Sequence, residues 1–284
     1  MDLLRKTVVC GVFMSLTFIS AGCQKGDDSG VETGPKNVKK AEALTAGMVA
    51  IPAGEFIMGS EDKDTEMLQQ RFGMRKIPYQ NEHPIRKVRL GKYFIDDYEV
   101  TAGQYQEFVT ATKHPAPAYW ENGVLPKGLE ETPVMVVSWY DADAYCRWKG
   151  KRLPNEEEWE KAARGPNGNR FPWGNTFDDK KANMLGLRGT PTPVKEYVSD
   201  VSAYGVHGMA GNASEWVQNW YQPYPGNEFL DEAYGESFKV LRGGSWGGIG
   251  HYSFEFFYRS TFRNYEKPES TMNDVGFRCA FSET

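Results

Sequence analysis

Apolar and polar positions follow a helical period in three segments of the chain, and each segment begins at a residue suited to cap a helix. The caps and their capping-box partners three residues later are Thr101 with Gln104, Ser138 with Asp141, and Asn155 with Glu158. Behind the caps, apolar residues share one face of each segment: Tyr105, Phe108 and Val109; Ala142, Tyr145 and Cys146; Trp159, Ala162 and Ala163. Gly150 and Gly165 stand where the second and third helices are expected to end.

Elsewhere the apolar positions form only short runs, interrupted by Gly, Pro and Asn. Residues 48–60 predict two short strands about a Pro-Ala-Gly turn, and 88–98, 215–217 and 239–241 also have strand composition. Residues 61–83 are polar and charged and predict a surface loop. Strands and helices do not alternate regularly, so the pattern predicts an α+β domain with little regular secondary structure rather than a parallel α/β sheet.

Composition narrows this picture. The 284 residues allow one large domain or two small ones, and aromatic residues at 14% with 30 glycines suit a core built between loops. The formal net charge of -5 gives the domain no electrostatic reason to bind nucleic acid.

The N-terminus has the pattern of an export signal. Arg5 and Lys6 precede an apolar run from Val8 to Ile19 that is too short to span a bilayer, and small residues then lead to Cys23. Residues 1–22 thus resemble a lipoprotein signal peptide, with Cys23 as the acylated first residue and membrane anchor, although Ser20 replaces the usual Leu. An ordinary cleaved signal or an uncleaved anchor is the alternative.

The segment after Cys23 carries further information. Gln24, rather than Asp, resembles lipoproteins sorted to the outer membrane, which places the domain on its periplasmic side. Residues 23–46 predict a flexible tether, because they contain many charged and small residues and no aromatic one. The folded domain is then expected over 47–284.

Of the four cysteines, Cys10 would leave with the signal and Cys23 would carry lipid, so Cys146 and Cys279 remain. In an oxidising compartment this pair predicts a disulfide between distant parts of the chain. A metal or redox pair is the alternative.

Several motifs, in order, cover nearly all of residues 47–284: Ile51–Gly59, Tyr98–Thr101, Pro133–Trp148, Gly150–Gly165, Phe171–Asn175, Gly208–Trp216, and the Arg242–Trp246 and Asn273–Cys279 ends of the last segment. Together they resemble the formylglycine-generating enzyme (sulfatase-modifying factor) family. The resemblance implies a compact α+β fold related to C-type lectins. It also supports the Cys146–Cys279 disulfide, because family members that carry both cysteines pair them.

The family's oxidases hold copper(I) between two cysteine thiolates and oxidise a sulfatase cysteine to formylglycine. This chain has no cysteine between Ser245 and Cys279; Gly248, Ser253, Phe254 and Glu255 occupy the neighbourhood of the missing thiols. Because copper(I) requires soft sulfur ligands, the sequence does not favour copper.

The resemblance also implies calcium. One site would use Asn212 and Glu215 with nearby carbonyls, although Gly208 stands where many relatives have Asn or Asp. A second would use Asn183 and the Met184 carbonyl, but no acid follows between Leu185 and Val194. In the alternative interpretation, Asn212 and Glu215 only hydrogen-bond their own loop.

Two further chemistries occur in relatives of this fold. Iron-dependent sulfoxide synthases use a histidine triad, and the four histidines here show no ligand spacing: His83, His114, His207 and His251. The pyoverdine-maturation protein lacks the cysteine pair, as this chain does. By that resemblance Glu255, Ser253 or His251 could serve as an acid or base; alternatively, Glu255 pairs with Arg259 or Arg263.

Three hypotheses follow from the sequence. The first is a membrane-anchored binding or scaffold module whose groove takes a peptide, protein or glycan; the groove residues would be Ser245, Trp246, His251, Tyr252, Glu255 and Tyr258. The second is a divergent enzyme for the oxidative maturation of a small molecule. The third is a formylglycine-generating oxidase that acts on sulfatases, against which the missing thiols weigh.

Overall fold

The computed structural model describes residues 42–74, 78–247 and 254–283. Its strands are β1 (Met48–Ile51), β2 (Gly54–Met58), β3 (Arg86–Leu90), β4 (Tyr93–Asp96), β5 (Ser214–Trp220), β6 (Lys239–Arg242), β7 (Arg263–Glu266), β8 (Val275–Phe277) and β9 (Ala280–Phe281). Its helices are α1 (Leu68–Phe72), α2 (Ala102–Thr112), α3 (Trp139–Trp148) and α4 (Glu156–Arg164), with 3-10 helices at Gln80–Glu82 and Glu255–Tyr258. The α+β class with short elements is confirmed.

The three predicted helices begin where their capping residues stand. The hydroxyl of Thr101 accepts from the backbone N–H of Gln104 at 3.2 Å, and the Gln104 side chain accepts from Thr101 N at 3.0 Å. Ser138 and Asp141 form the same reciprocal pair. At the start of α4, Glu158 accepts from Asn155 N at 2.9 Å. Gly165 caps the C-terminus of α4 as expected, whereas the C-terminal cap of α3 is Lys149, one residue before Gly150.

The strands form three separate sheets in the described residues. Their orders are β1-β4-β9, β2-β3 and β7-β6-β5-β8. The two strands predicted about the Pro-Ala-Gly turn exist, but they belong to different sheets. In the four-stranded sheet, β5 pairs with β8 in parallel and with β6 antiparallel.

The core lies between these sheets and the helices and is rich in aromatic side chains. Trp159 of α4 and Trp216 of β5 are fully buried. The indole N–H of Trp159 donates to Glu215 at 2.9 Å, and that of Trp216 donates to the Val137 carbonyl at 3.0 Å. The polar edge of each large ring thus has a partner.

The prediction of a surface loop over 61–83 is wrong in part. Asp64 accepts hydrogen bonds from the backbone N–H groups of Leu68 and Gln69, at 2.7 and 3.0 Å, and so starts α1. Leu68 is buried, and Glu82 in the following 3-10 helix is fully buried. The prediction assumed that charged residues of this segment face solvent, whereas Glu82 is buried against a cationic partner from a distant part of the chain.

The predicted signal peptide and the first part of the predicted tether, through residue 41, lie outside the described residues. Residues 42–45, at the end of that tether, form a helical turn, and Leu44 lies against Gly150. Within the described ranges, no helix has the length and apolar composition needed to cross a membrane.

Candidate functional site

The arginines of the C-terminal segment lie in the protein core. Arg242 is fully buried, and its guanidinium contacts Glu156 at 3.2 Å and Glu160 at 2.6 Å, both on α4. Arg263 binds the same Glu156 through two nitrogens, at 2.6 and 3.0 Å. Burial alone would raise the pKa of Glu156, but Arg263 and Arg242 hold it below the ordinary value.

Arg259 forms a second buried pair. Its guanidinium donates to both oxygens of Glu82, at 2.8 and 2.6 Å, and lies over the ring of Tyr79. Burial opposes ionisation of Glu82, yet the nearby Arg259 lowers the pKa of this carboxyl. Because Arg259 binds Glu82 and Arg263 binds Glu156, the prediction that Glu255 pairs with Arg259 or Arg263 was wrong.

Glu255 instead faces Arg170, whose Nε lies 3.7 Å from Glu255 Oε1. The Glu255 side chain is 48% exposed and stands at the start of the last 3-10 helix. It is therefore a partly exposed member of an ion pair. The other two candidate acid or base residues, Ser253 and His251, lie outside the described residues.

Arg278 and Cys279, at the end of the C-terminal segment, are also bound to partners in the core. Arg278 donates to both oxygens of Glu215, at 2.7 and 2.8 Å, and to the backbone carbonyls of His207 and Gly208. The next residue, Cys279, forms a disulfide with Cys146 of α3, as predicted, and both cysteines are fully buried.

The predicted groove residues fall into two groups. Ser245 and Tyr258 are fully buried and therefore line no open groove in the described structure: Ser245 donates to Asp274, and the Tyr258 hydroxyl accepts from Leu185 N at 2.6 Å. Trp246 is half-buried, with its indole N–H directed at the Asn273 carbonyl. Tyr252, like His251, lies outside the described residues.

An aromatic cleft of about 550 Å³ adjoins the same segment. Sequence reasoning missed it, because its walls come from distant parts of the chain. The phenyl rings that line it are those of Phe72, Phe229, Phe254, Phe256, Phe257 and Phe262. The Phe72 and Phe254 rings lie 4.0 Å apart, and Phe72 is 45% exposed. Such a concave apolar surface with polar groups at its margin is typical of a ligand site.

The oxygens proposed for calcium are mostly engaged. Both Glu215 oxygens accept hydrogen bonds from Arg278, and one also accepts from Trp159. Asn212 Oδ1 accepts from Asn183 Nδ2 at 3.1 Å and from Thr192 N at 2.9 Å. Among the side-chain oxygens of Glu215, Asn212 and Asn183, only Asn183 Oδ1 is buried without a hydrogen-bond partner in the described residues. Ca²⁺ takes six to eight oxygen ligands, and Arg278 already occupies both oxygens of Glu215. The structure therefore does not fit a calcium site at Glu215. Calcium elsewhere stays a prediction.

Two buried acids beside this region were not foreseen. Glu99 is 1% exposed, and neither carboxylate oxygen has a hydrogen-bond partner in another described residue. Burial raises its pKa to about 8, although Arg278 lies 4.0 Å away. Burial likewise raises the pKa of Asp200 to about 6, despite hydrogen bonds from Ala210 and Gly211. A side chain at Gly208 would collide with Glu99, since its Cβ would lie 2.6 Å from Oε2.

Residues 34–283 match the model of the sulfatase-modifying factor enzyme 1-like domain. The chain is 31% identical to the formylglycine-generating enzyme of Bos taurus, over 82% of this chain and 74% of the relative. It is also 31% identical to the inactive C-alpha-formylglycine-generating enzyme 2 of Mus musculus, over 83% of this chain and 85% of the relative.

Among solved structures, PvdO from Pseudomonas aeruginosa superposes with a TM-score of 0.63 at 26% identity, and the match covers 83% of this chain and 94% of PvdO. The family match, the two relatives and the fold agree with the motifs that run from Ile51 to Cys279. The chain therefore belongs to the sulfatase-modifying factor enzyme 1-like family, which includes the formylglycine-generating enzymes.

Proposed function

We propose that this protein is a lipid-anchored binding module without the copper-thiolate oxidase chemistry of formylglycine-generating enzymes. The observation that carries the proposal is that Cys146 and Cys279 form a buried disulfide, and no other cysteine follows Cys23. A disulfide supplies no thiolate, whereas copper(I) in the family's oxidases is held by two. A relative named as a formylglycine-generating enzyme and one named as an inactive form are both 31% identical to this chain, so family membership does not decide the activity.

The aromatic cleft is the proposed ligand site of this module. Its phenyl rings favour a peptide, protein or glycan that can place an apolar surface against them. The buried pairs Arg259–Glu82 and Arg263–Glu156, whose arginines follow the Glu255–Tyr258 helix, hold this wall in place. Lipid on Cys23 and the tether over 23–46 would display the domain from the outer membrane, on its periplasmic side.

An oxidase assay tests the loss of chemistry. The full chain with Cys23→Ser, which prevents lipidation, is incubated with copper(I), oxygen and a sulfatase peptide that contains its target cysteine. We expect the peptide mass to stay unchanged, while the Bos taurus formylglycine-generating enzyme converts the same peptide. Copper-dependent conversion by this chain would overturn the proposal and favour the oxidase hypothesis.

A divergent enzyme is the second candidate. It is favoured by the position of Glu255, which directly follows Phe254, one of the residues that line the aromatic cleft. In this case Glu255→Gln in the native host should change the profile of small-molecule metabolites. Glu107→Gln is the matched control, because Glu107 also forms a partly exposed ion pair, with Lys149 at 3.3 Å. An unchanged profile in both variants counts against an enzymatic role for Glu255.

A further inference from the structure

A second cleft, of about 620 Å³, opens where α4 begins. The first turn of α4, the end of β5 and the loop over 222–225 form its walls. Part of its lining lies outside the family motifs, namely Arg86, Gln218, Trp220, Gln222 and Lys239.

One aromatic ring in this cleft is held in a fixed position. The Lys239 ammonium lies between two indoles, 3.8 Å from the ring centroid of Trp220 and 4.0 Å from that of Trp139. It also donates to the Gln218 carbonyl at 2.9 Å. Lys239 is 4% exposed while Trp220 is half-buried, so the lysine orders an indole that still reaches solvent.

Hydrogen-bonding groups around this indole lack partners. Arg86 Nη1 and Asn155 Oδ1 are both buried and unpaired within the part of the chain that the structure describes. The side chains of Gln218 and Gln222 also line the cleft, and Gln222 is exposed. Unpaired buried donors and acceptors are costly, so their occurrence together in one cleft indicates a ligand that carries both kinds of group.

The charges in the cleft balance one another. Arg86 lies 3.8 Å from Glu157, and Glu236 offsets the charge of Lys239. Glu156 is used by the buried arginines. With no excess of either sign, the cleft has no preference for a phosphate or for a polyamine.

We propose that this cleft binds a neutral sugar ring. The apolar face of a pyranose would lie on Trp220, and its hydroxyls, each both donor and acceptor, would bind the side chains of Asn155, Gln218, Gln222 and Arg86. This site is independent of the aromatic cleft, so its failure would leave the proposed function untouched.

Isothermal titration calorimetry tests the proposal on the full chain with Cys23→Ser. The probes are cellotetraose, maltotetraose and chitotetraose, with inorganic phosphate and spermine as charged comparisons. We expect saturable binding of at least one oligosaccharide and none of the charged probes. Trp220→Ala should weaken that binding by about tenfold or more.

Two further variants separate binding from folding. Gln222→Ala changes an exposed side chain and should weaken binding while the thermal midpoint stays constant. Trp148→Phe is the matched control, since Trp148 is 39% exposed and also carries a lysine, Lys149, at 4.6 Å from its ring, but lies outside the cleft. Absence of saturation by all three sugars at about 10 mM, or binding by the Trp220 and Gln222 variants as tight as that of the parent, would overturn the proposal.

Discussion

Individual charged residues of this domain are placed for stability. Glu82 and Arg259 form a fully buried pair with two short hydrogen bonds. Arg259→Met would leave the Glu82 carboxylate buried without its cation, and we expect a loss of about 3–5 kcal/mol in the free energy of unfolding, measured by urea denaturation. Arg89→Met is the control, because the Arg89 side chain is 75% exposed and its pair with Glu55 should contribute less than about 1 kcal/mol. Equal losses of unfolding free energy in both variants would contradict a stabilising role for the buried Glu82–Arg259 pair.

Glu99 predicts a pH dependence of stability. Its pKa of about 8 in the folded state exceeds the value of 4.5 expected of an unperturbed glutamate. The unfolded chain therefore releases this proton first, and the contribution of Glu99 to stability falls as the pH rises from about 4.5 to 8. Glu99→Gln imitates the protonated form, so the variant should gain thermal stability over the parent at pH 8 and gain little at pH 5.

Glu55→Gln, at an exposed position of β2, controls for the loss of one negative charge. A gain for Glu99→Gln that does not change with pH would disprove the proton-linked origin.

Sequence alone could not foresee these charge partners. Glu82 and Arg259 are 177 residues apart, and nothing local marks either as buried. Arg242 and Arg278 lie in the family motifs at the two ends of the last segment, and both are fully buried. Glu255 was given the wrong partners because the burial of Arg259 and Arg263 depends on Glu82 and Glu156.

At the level of elements, close backbone approaches position the C-terminal segment. Gly244 lies between Tyr258 and the Ala210 carbonyl, and a Cβ at Gly244 would lie 2.8 Å from that oxygen and collide with the Tyr258 ring. We expect Gly244→Ala to lower the free energy of unfolding by about 1–3 kcal/mol, since neither neighbour is mobile. Gly91→Ala is the control, because its Cβ would meet nothing within 4 Å. Thermal unfolding of both variants measures the difference.

The three longer helices, α2, α3 and α4, were predictable from the sequence, whereas α1 and the sheets were not. A capping box such as Thr101 with Gln104 is complete within four residues, so its signal is local. The partners of β4 are β1 and β9, which lie at opposite ends of the domain. The positions of β1 to β6 were found, whereas β7, β8 and β9, the pairing of the strands and the aromatic cleft required the folded chain.

For the whole molecule, the disulfide joins residues 133 positions apart. Replacing both Cys146 and Cys279 with Ser should cost about 2–5 kcal/mol of stability in the Cys23→Ser background. The expected readout is that dithiothreitol lowers the thermal midpoint of the parent and leaves the double variant unchanged. A midpoint that does not respond to reductant in the parent would contradict a stabilising disulfide.

The pairing of β9 with β4 also bears on how the chain is made. β9 (Ala280–Phe281) follows the other strands in the chain, yet it completes the sheet that starts at Met48. Contacts between such distant segments form late, because loop closure must come first. The first sheet is thus incomplete until Phe281 has left the ribosome, so a product that is truncated or stalled before β9 has an open strand edge on β4 and should be a substrate for proteases rather than a stable partial domain.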